Sequence, residues 1–417
     1  MLIRIALESL FSRRVSAMLT IAGIAISVAL LVAVEKIRVD AHTSFANTIS
    51  GTDLVVGARS GSVQLLLYSV FRIGNATNNV GWDSFKKISA HPAVAWAIPI
   101  ALGDSHRGFR VMGTTNAYFE HFHYGNRKPL EFDQGAPFEG IFDAVIGADV
   151  AKTLGYTVGQ KLVVAHGTTS AALEHANLPF HVVGILKRTG TPVDRTVHVT
   201  LAGFEAIHVG WESGTLITSR TLTPETALEH DLEPKTITAF FLGMERRVDT
   251  FQIQRAINEF PDEPLLAVLP GVALQELWDL VGVGERALLV VGAMVVFSGL
   301  TGMLIGILST LNERRREIAI LRSVGARPAH IFALLVAEST LLGVGGTVLG
   351  VALIYLAMFA LGPYLATQYG LDIALEVPSR GIVTILAAVV GGSFLVGFIP
   401  AWLAYRHSLS DGLSIRL

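Results

Sequence analysis

Asn312-Glu-Arg-Arg-Arg-Glu-Ile-Ala-Ile-Leu-Arg-Ser-Val-Gly-Ala-Arg-Pro328 lies between two long apolar runs, residues 287–311 and 331–361. Five arginines (Arg314, Arg315, Arg316, Arg322 and Arg327) stand there against two glutamates. A short loop this rich in arginine stays in the cytoplasm under the positive-inside rule. Ile318, Ile320, Leu321 and Val324 follow the arginine run, Gly325 offers a helix stop, and Pro328 suits the first turn of the next helix. The pattern predicts a short amphipathic helix where a membrane helix leaves the bilayer. Two readings remain open: a basic loop that only fixes topology, or a docking element for a cytoplasmic partner.

The surrounding composition decides the class. The 417 residues are 51% hydrophobic and 16% charged, with a mean hydropathy of +0.52. Soluble domains carry about 25% charged residues, so this chain reads as a membrane protein. A formal net charge of −2 gives no general attraction to nucleic acid. The absence of cysteine excludes disulfides, thiolate metal sites and cysteine nucleophiles.

Along the chain, Arg4, Glu8 and Ser12 form a polar stripe on an otherwise apolar helix, which predicts a cytoplasmic interfacial helix over 1–15. Residues 16–39 read as a first transmembrane helix and stalk. A cleaved signal would have a shorter apolar region and a small-x-small cleavage site, so the helix is read as uncleaved. Further spans are expected at 285–311, 331–361 and 381–405, long enough to cross a hydrocarbon core of about 30 Å. The coupling segment 312–330, a short outer loop 362–380 and a tail 406–417 connect or end them. Ten basic residues fall on one side: Arg4, Arg13, Arg14, the five loop arginines, Arg406 and Arg416. Near the other membrane face stand Lys36, Arg38, Arg286 and Arg380. Both termini are therefore expected in the cytoplasm and residues 40–284 outside.

That outer region is polar and long enough to fold. Strand signals at 53–56, 93–101 and 109–114 surround a helix signal at 82–90. Strand, helix and strand signals recur at 236–244, 248–259 and 265–269. The pattern predicts an α/β part, 40–136 with 212–284, and a β-rich insert over 137–211. The expected fold class is thus an α-helical membrane protein with four transmembrane helices and a large α/β extracytoplasmic domain carrying a β-rich inserted subdomain.

With these residues in view, the chain resembles the FtsX/MacB-like family of ABC-transporter permeases, which includes lipoprotein-release and efflux permeases. Arg316-Glu-Ile-Ala-Ile-Leu-Arg-Ser-Val-Gly-Ala326 looks like the family's coupling segment. A second match is Asp143-Ala-Val-Ile-Gly-Ala-Asp-Val-Ala-Lys-Thr-Leu-Gly155 with Val158-Gly-Gln-Lys-Leu162, extended by residues 180–186 and Gly190-Thr-Pro-Val-Asp194. Two features depart from the family pattern. Trp402-Leu403 replace a basic pair, and Leu409 stands where a proline is usual. The segment 57–81 is not one that every member would need. The resemblance implies a permease that works with a separate ABC ATPase subunit and pairs with a second copy or close paralogue. A periplasmic adaptor or a lipoprotein, and membrane lipids, are further implied partners; nucleic acid is not. It implies transmission of motion in the bacterial inner membrane for efflux or lipoprotein release. The alternatives are a cell-division-type regulator of a cell-wall hydrolase and a stand-alone membrane-anchored receptor or enzyme.

On this reading Arg316, Glu317, Ile320, Leu321, Arg322, Val324 and Gly325 couple to the ATPase. Ile320, Leu321 and Val324 would enter a groove on it, with Glu317 and Arg322 at the rim. No Gly-x-x-x-x-Gly-Lys-Ser/Thr loop occurs, so no enzymatic activity and no cofactor are expected of the chain, ATP being bound by the partner. Gly302 with Gly306 and Gly346 with Gly350 have the small-x-x-x-small spacing of close helix packing. Glu338 is an ionisable residue inside an apolar run, a possible intramembrane polar site. His121-Phe-His123 reads as half a metal site with nothing beside it to complete it. The apolar stretch Leu65 to Phe71 suits core packing, contact with a second permease, or contact with amphipathic cargo.

Overall fold

Apolar length sets the first division of the chain. The computed structural model describes residues 2–166, 177–209, 226, 231–311, 315–369 and 378–406. Among them, four helical stretches are long and apolar enough to cross a membrane: Arg14–Asp40, Pro270–Leu311, Pro328–Gly362 and Arg380–Arg406. Residues 1–41 and 282–417 form one unit, and residues 42–281 another.

The helices of the first unit are α1 (Leu2–Ser12), α2 (Arg14–Asn47) up to residue 41, α3 (Pro270–Leu311) from residue 282, α4 (Arg315–Ser323), α5 (Pro328–Tyr369), α6 (Arg380–Val396) and α7 (Phe398–Arg406). Pro400, which has no N–H to donate, accounts for the break between α6 and α7. Ile24, Val28 and Val32 of α2 pack with Met303, Ile307, Leu342, Ile382 and Val389. Lipid tails are as apolar as leucine, so burial alone does not hold such helices together, and close approach through small residues must. At Gly346 a Cβ would lie 2.6 Å from Ile24 Cβ, and at Gly350 2.6 Å from the Ala25 carbonyl oxygen. On α3, Gly292, Gly299 and Gly306 repeat every seven residues, and a Cβ on each would meet Leu31, Ser27 and Thr20 of α2 respectively. Ser27 Oγ also donates to the Val295 carbonyl across this contact at 3.2 Å. Gly343 meets Ser393, and Gly397 meets Ser339, which closes α5 on the last apolar stretch.

The glycine pairs read from spacing thus divide. Gly346 and Gly350 work together against α2. Gly302 has nothing within 4 Å of its Cβ position, so within this chain it does not pair with Gly306. A seven-residue repeat advances about two helical turns, and Gly302 lies off the line it draws.

The second unit is built on a mixed sheet. Its strands are β1 (Leu54–Ala58), β2 (Val94–His106), β3 (Phe109–Thr114), β4 (Phe132–Gly135), β5 (Asp143–Ile146), β6 (Phe180–Leu186), β7 (Thr196–Thr200), β8 (Ala239–Met244) and β9 (Leu265–Val268). They run in the order β9-β1-β8-β2-β3-β7-β5-β6-β4, with 161–162 and 165–166 paired at β6 and β2. Pairing is antiparallel except for β3 with β7 and β5 with β6. Both faces of the first half are buried, so alternate residues of one strand enter different cores. Val55, Ile98, Ile100 and Phe241 face the helix Ser62–Ser69. Leu54, Val56, Phe240 and Leu242 face Phe85 and Ile88 of Trp82–Ser89 and Ile253 and Ile257 of Thr250–Asn258. Val111, Ala144, Ile146, Val182, Val197 and Val199 form the core of the second half.

The expected β-rich insert, 137–211, contributes β5, β6 and β7 to this same sheet. Residues 94–100 of β2 pair with β8, and residues 101–106 of the same strand pair with β3. One long strand is shared, and β5, β6 and β7 continue the sheet beyond it. Leu65, Leu66, Tyr68, Val70 and Phe71 are all buried in the core on the first face, which settles that stretch as packing.

The glycine contacts give opposite expectations for one substitution at two sites. Gly350→Ala puts a methyl into the Ala25 carbonyl and should lower the unfolding free energy in detergent by about 1–3 kcal/mol. Gly302→Ala meets open space and should be neutral, or stabilising by up to about 1 kcal/mol through helix propensity. Equal effects on the melting temperature would mean that neither glycine is at a tight contact.

Candidate functional site

The arginine-rich stretch folds as α4 between the ends of α3 and α5. Ala326 N–H donates to the Leu321 carbonyl at 3.0 Å and Gly325 N–H to the Arg322 carbonyl at 3.1 Å, which closes the helix. Gly325 has φ of +101°, a conformation that costs a residue with a Cβ, so glycine ends α4 here by necessity. Pro328 then opens α5, and His330 Nδ1 accepts from Arg327 N–H at 3.2 Å.

The two faces of α4 differ. Ala319 is buried, and Ile318 packs on Leu311, Ile331, Leu335, Val336, Ala401 and Ala404. That inner face joins α4 to α3, α5 and α7. The opposite face leaves Ile320 52% and Val324 83% exposed. These positions are four apart, hence neighbours on the helix surface. Glu317 and Ser323 flank them in solvent. Leu321 and Arg322 are half-buried, so Leu321 is partly occupied by its own chain. The side chain of Arg316 is outside the described residues.

A second contact pins the helix. Arg13, at the break between α1 and α2, donates from Nη2 to Glu317 Oε2 at 3.3 Å and from Nη1 to the Thr310 carbonyl at 3.3 Å. Its side chain is only 19% exposed. The sequence marks Arg13 as a topology residue, and nothing in the local pattern places it beside Glu317, which lies 304 residues away. Arg13 is the site residue that sequence reasoning missed.

Other sequence candidates do not join this site. Glu338 is buried on α5 beside Ser339, itself fully buried. His121 ends the helix Ala117–His121 rather than lying in a strand, and its ring stacks on Trp96 at 5.3 Å. His123 Nδ1 bonds the His121 carbonyl at 2.7 Å. Among the described residues no group of three or more His, Cys, Asp or Glu is placed to hold a metal. Leu409 and Arg416 of the tail, and residues 312–314 with Arg314, lie outside the described residues.

With this geometry in place, comparison with known proteins assigns the family. Residues 17–234, more than half of the chain, match the MacB-like periplasmic core domain, and residues 289–409 match the FtsX-like permease C-terminal domain. The chain belongs to the MacB/FtsX-type ABC transporter permease family. The second of those regions holds α4 with most of α3, all of α5 and the last apolar stretch. The macrolide export ATP-binding/permease protein MacB of Nitrobacter winogradskyi is 26% identical over 422 residues, covering 99% of this chain. The chain spans 60% of the length of that relative. Among solved structures, the periplasmic region of MacB from Actinobacillus actinomycetemcomitans superposes with a TM-score of 0.33 at 10% identity, over 55% of this chain and 94% of that one. The extracellular domain of the noncanonic ABC-type transporter YknZ from Gram-positive bacteria gives 0.31 at 14% identity, over 52% and 99% respectively.

The Arg13 contact is testable without any partner. Glu317 is more than half exposed, so the pair contributes about 0.2–1 kcal/mol. Arg13→Gln should raise amide hydrogen exchange over 317–324 by up to roughly fivefold while the sheet of the second unit exchanges as before. Unchanged exchange in α4 would show that its packed inner face alone holds it.

Proposed function

We propose that this chain is the permease subunit of an ABC transport complex in a bacterial inner membrane, with α4 as the coupling helix for a separate ATPase. Both termini and α4 lie in the cytoplasm in this reading, and residues 42–281 lie in the periplasm. Two permeases pair around two ATPases. ATP-driven closure of the ATPases moves α4 and, through it, the apolar helices that run on into the sheet domain. The work done is lipoprotein release or efflux of an amphipathic cargo, and cargo need not pass between the membrane helices.

One observation carries the reading: a helix packed along one face and pinned by Arg13 leaves two large apolar side chains, Ile320 and Val324, side by side in solvent. Scattered exposed apolar residues are ordinary on a surface. A pair at four-residue spacing on a fixed helix is the anchor pattern of a helix seated in a groove. The arginine asymmetry supports the orientation. Within residues 42–281, His42 stacks on Trp278 at 3.6 Å and Phe45 packs on Phe71 at 4.6 Å.

Ile320→Asp with Val324→Asp removes both anchors without touching the inner face. Interface anchors are worth about 2 kcal/mol each, so ATPase co-purifying with the tagged chain from its own membranes should fall by roughly tenfold or more. Leu321→Ala, half-buried in its own chain, should lose less than Ile320→Ala. Full recovery of ATP turnover with the double variant would remove α4 as the coupling element.

A further inference from the structure

Trp402-Leu403 sets this chain apart from the family pattern, and the coupling role of α4 leaves the pair unused. Both residues lie on α7, whose two faces differ. Pro400, Ala401 and Ala404 are buried, and the two alanines form part of the floor under α4. On the other face Phe398, Trp402, Tyr405 and Arg406 are exposed, Trp402 by 57% and Tyr405 by 49%. Trp402 stands three or four residues from each of the others, so the four make one stripe along the helix. Phe394 of α6 meets Phe398 edge-on at 5.1 Å, and the rings of Trp402 and Tyr405 stack at 6.1 Å. The stripe thus runs to the last residue of the apolar stretch.

Its polar atoms are of one kind. Trp402 offers an indole N–H, Tyr405 an O–H and Arg406 a guanidinium that only donates. Among the described residues, no hydrogen bond or ion pair engages any of the three. Residues 380–406 contain no Asp or Glu, so neither α6 nor α7 offers a carboxylate to a cationic group. On the helices beneath, the carboxylate of α4, Glu317, is held by Arg13, and that of α5, Glu338, is buried.

Depth decides what meets this face. Arg380–Arg406 is a stretch of 27 residues. As helix it is about 40 Å long, against a hydrocarbon core of about 30 Å. Its end therefore reaches the headgroup level. Tryptophan and tyrosine settle there, with the ring in apolar surroundings and the N–H or O–H among polar groups.

We propose that the outer face of α7 holds an anionic phospholipid. Its phosphate sits on Arg406, with Tyr405 O–H and Trp402 N–H as further donors, and its acyl chains lie along Phe398 and Phe394. Guanidinium and phosphate match in charge and in the geometry of the donor fork. A zwitterionic headgroup brings the same phosphate with an amine, for which this face has no carboxylate, so the anionic headgroup is preferred. The site rests on the membrane-spanning reading of residues 380–406 and is independent of ATPase docking at α4.

The test places the full-length protein in nanodiscs of phosphatidylcholine. A small fixed fraction of the lipid is acyl-brominated and supplied either as phosphatidylglycerol or as phosphatidylcholine. Four of the five tryptophans lie within residues 42–281, and Trp402 is the one in the other unit. The signal is the bromine quenching that Trp402→Phe removes. It should be about fivefold stronger with the phosphatidylglycerol, the factor that one arginine at a membrane surface contributes. Arg406→Gln should bring the two lipids level. Arg14→Gln, the same change of charge on an exposed residue of α2, should keep the preference. Equal quenching in the wild type, or a preference that survives Arg406→Gln, overturns the headgroup site. A preference lost equally with Arg14→Gln reduces it to the general attraction of basic helix ends for anionic lipid and overturns it as well. Quenching by neither lipid sets Trp402 outside the bilayer, and then the membrane-spanning reading of this stretch fails with the site.

Discussion

Close approach of α2 to its neighbours is the constraint on which the apolar unit depends. A Cβ at Gly350 would lie 2.6 Å from the Ala25 carbonyl, so a larger residue there must displace its neighbour, and Gly346 repeats the condition one turn earlier. On its other side α2 meets the seven-residue glycine line of α3, where Ser27 spans the contact with a hydrogen bond. In water, burial would hold such helices together whatever the detail. In lipid it would not, and the contacts must come from backbone proximity and a few polar bonds. A single side chain on the wrong face therefore costs more here than its size suggests.

From this packing follows the placing of α4. The end of α2 brings Arg13 to the last turn of α3 and to Glu317, and the ends of α3, α5 and α7 supply the apolar floor under Ile318 and Ala319. The helix is short, and helices of this length have little stability in isolation. Its orientation comes from what it rests on. What remains free is consequently a defined face rather than a mobile loop, and Ile320 and Val324 are the apolar residues on it.

The sheet domain works by a different rule. Alternating apolar residues on both faces of β1 and β8 enter two cores at once. The long strand β2 carries the sheet from the first half to the second, and a register shift between Leu102 and Ser105 marks where its pairing passes to β3. Rigidity of that strand joins two halves that sequence spacing separates.

Much of this was legible in one dimension. The apolar runs, the arginines at their ends, the helix stop at Gly325 and the alternation at 109–114 and 180–186 are local properties, set by neighbours a few residues apart. They determined the apolar helices, the mixed α/β domain and the amphipathic character of 315–323. Spacing alone could not say that Gly302 faces open space while Gly306, four residues on, faces Thr20, because the partner helix defines the line. Nor could it separate Leu321 from Ile320, since both are apolar and only the floor beneath α4 decides which is covered. The same holds for Arg13 beside Glu317 and for the one sheet that runs through the insert and the part around it. Each is a contact between residues distant in sequence, and tertiary packing decided it.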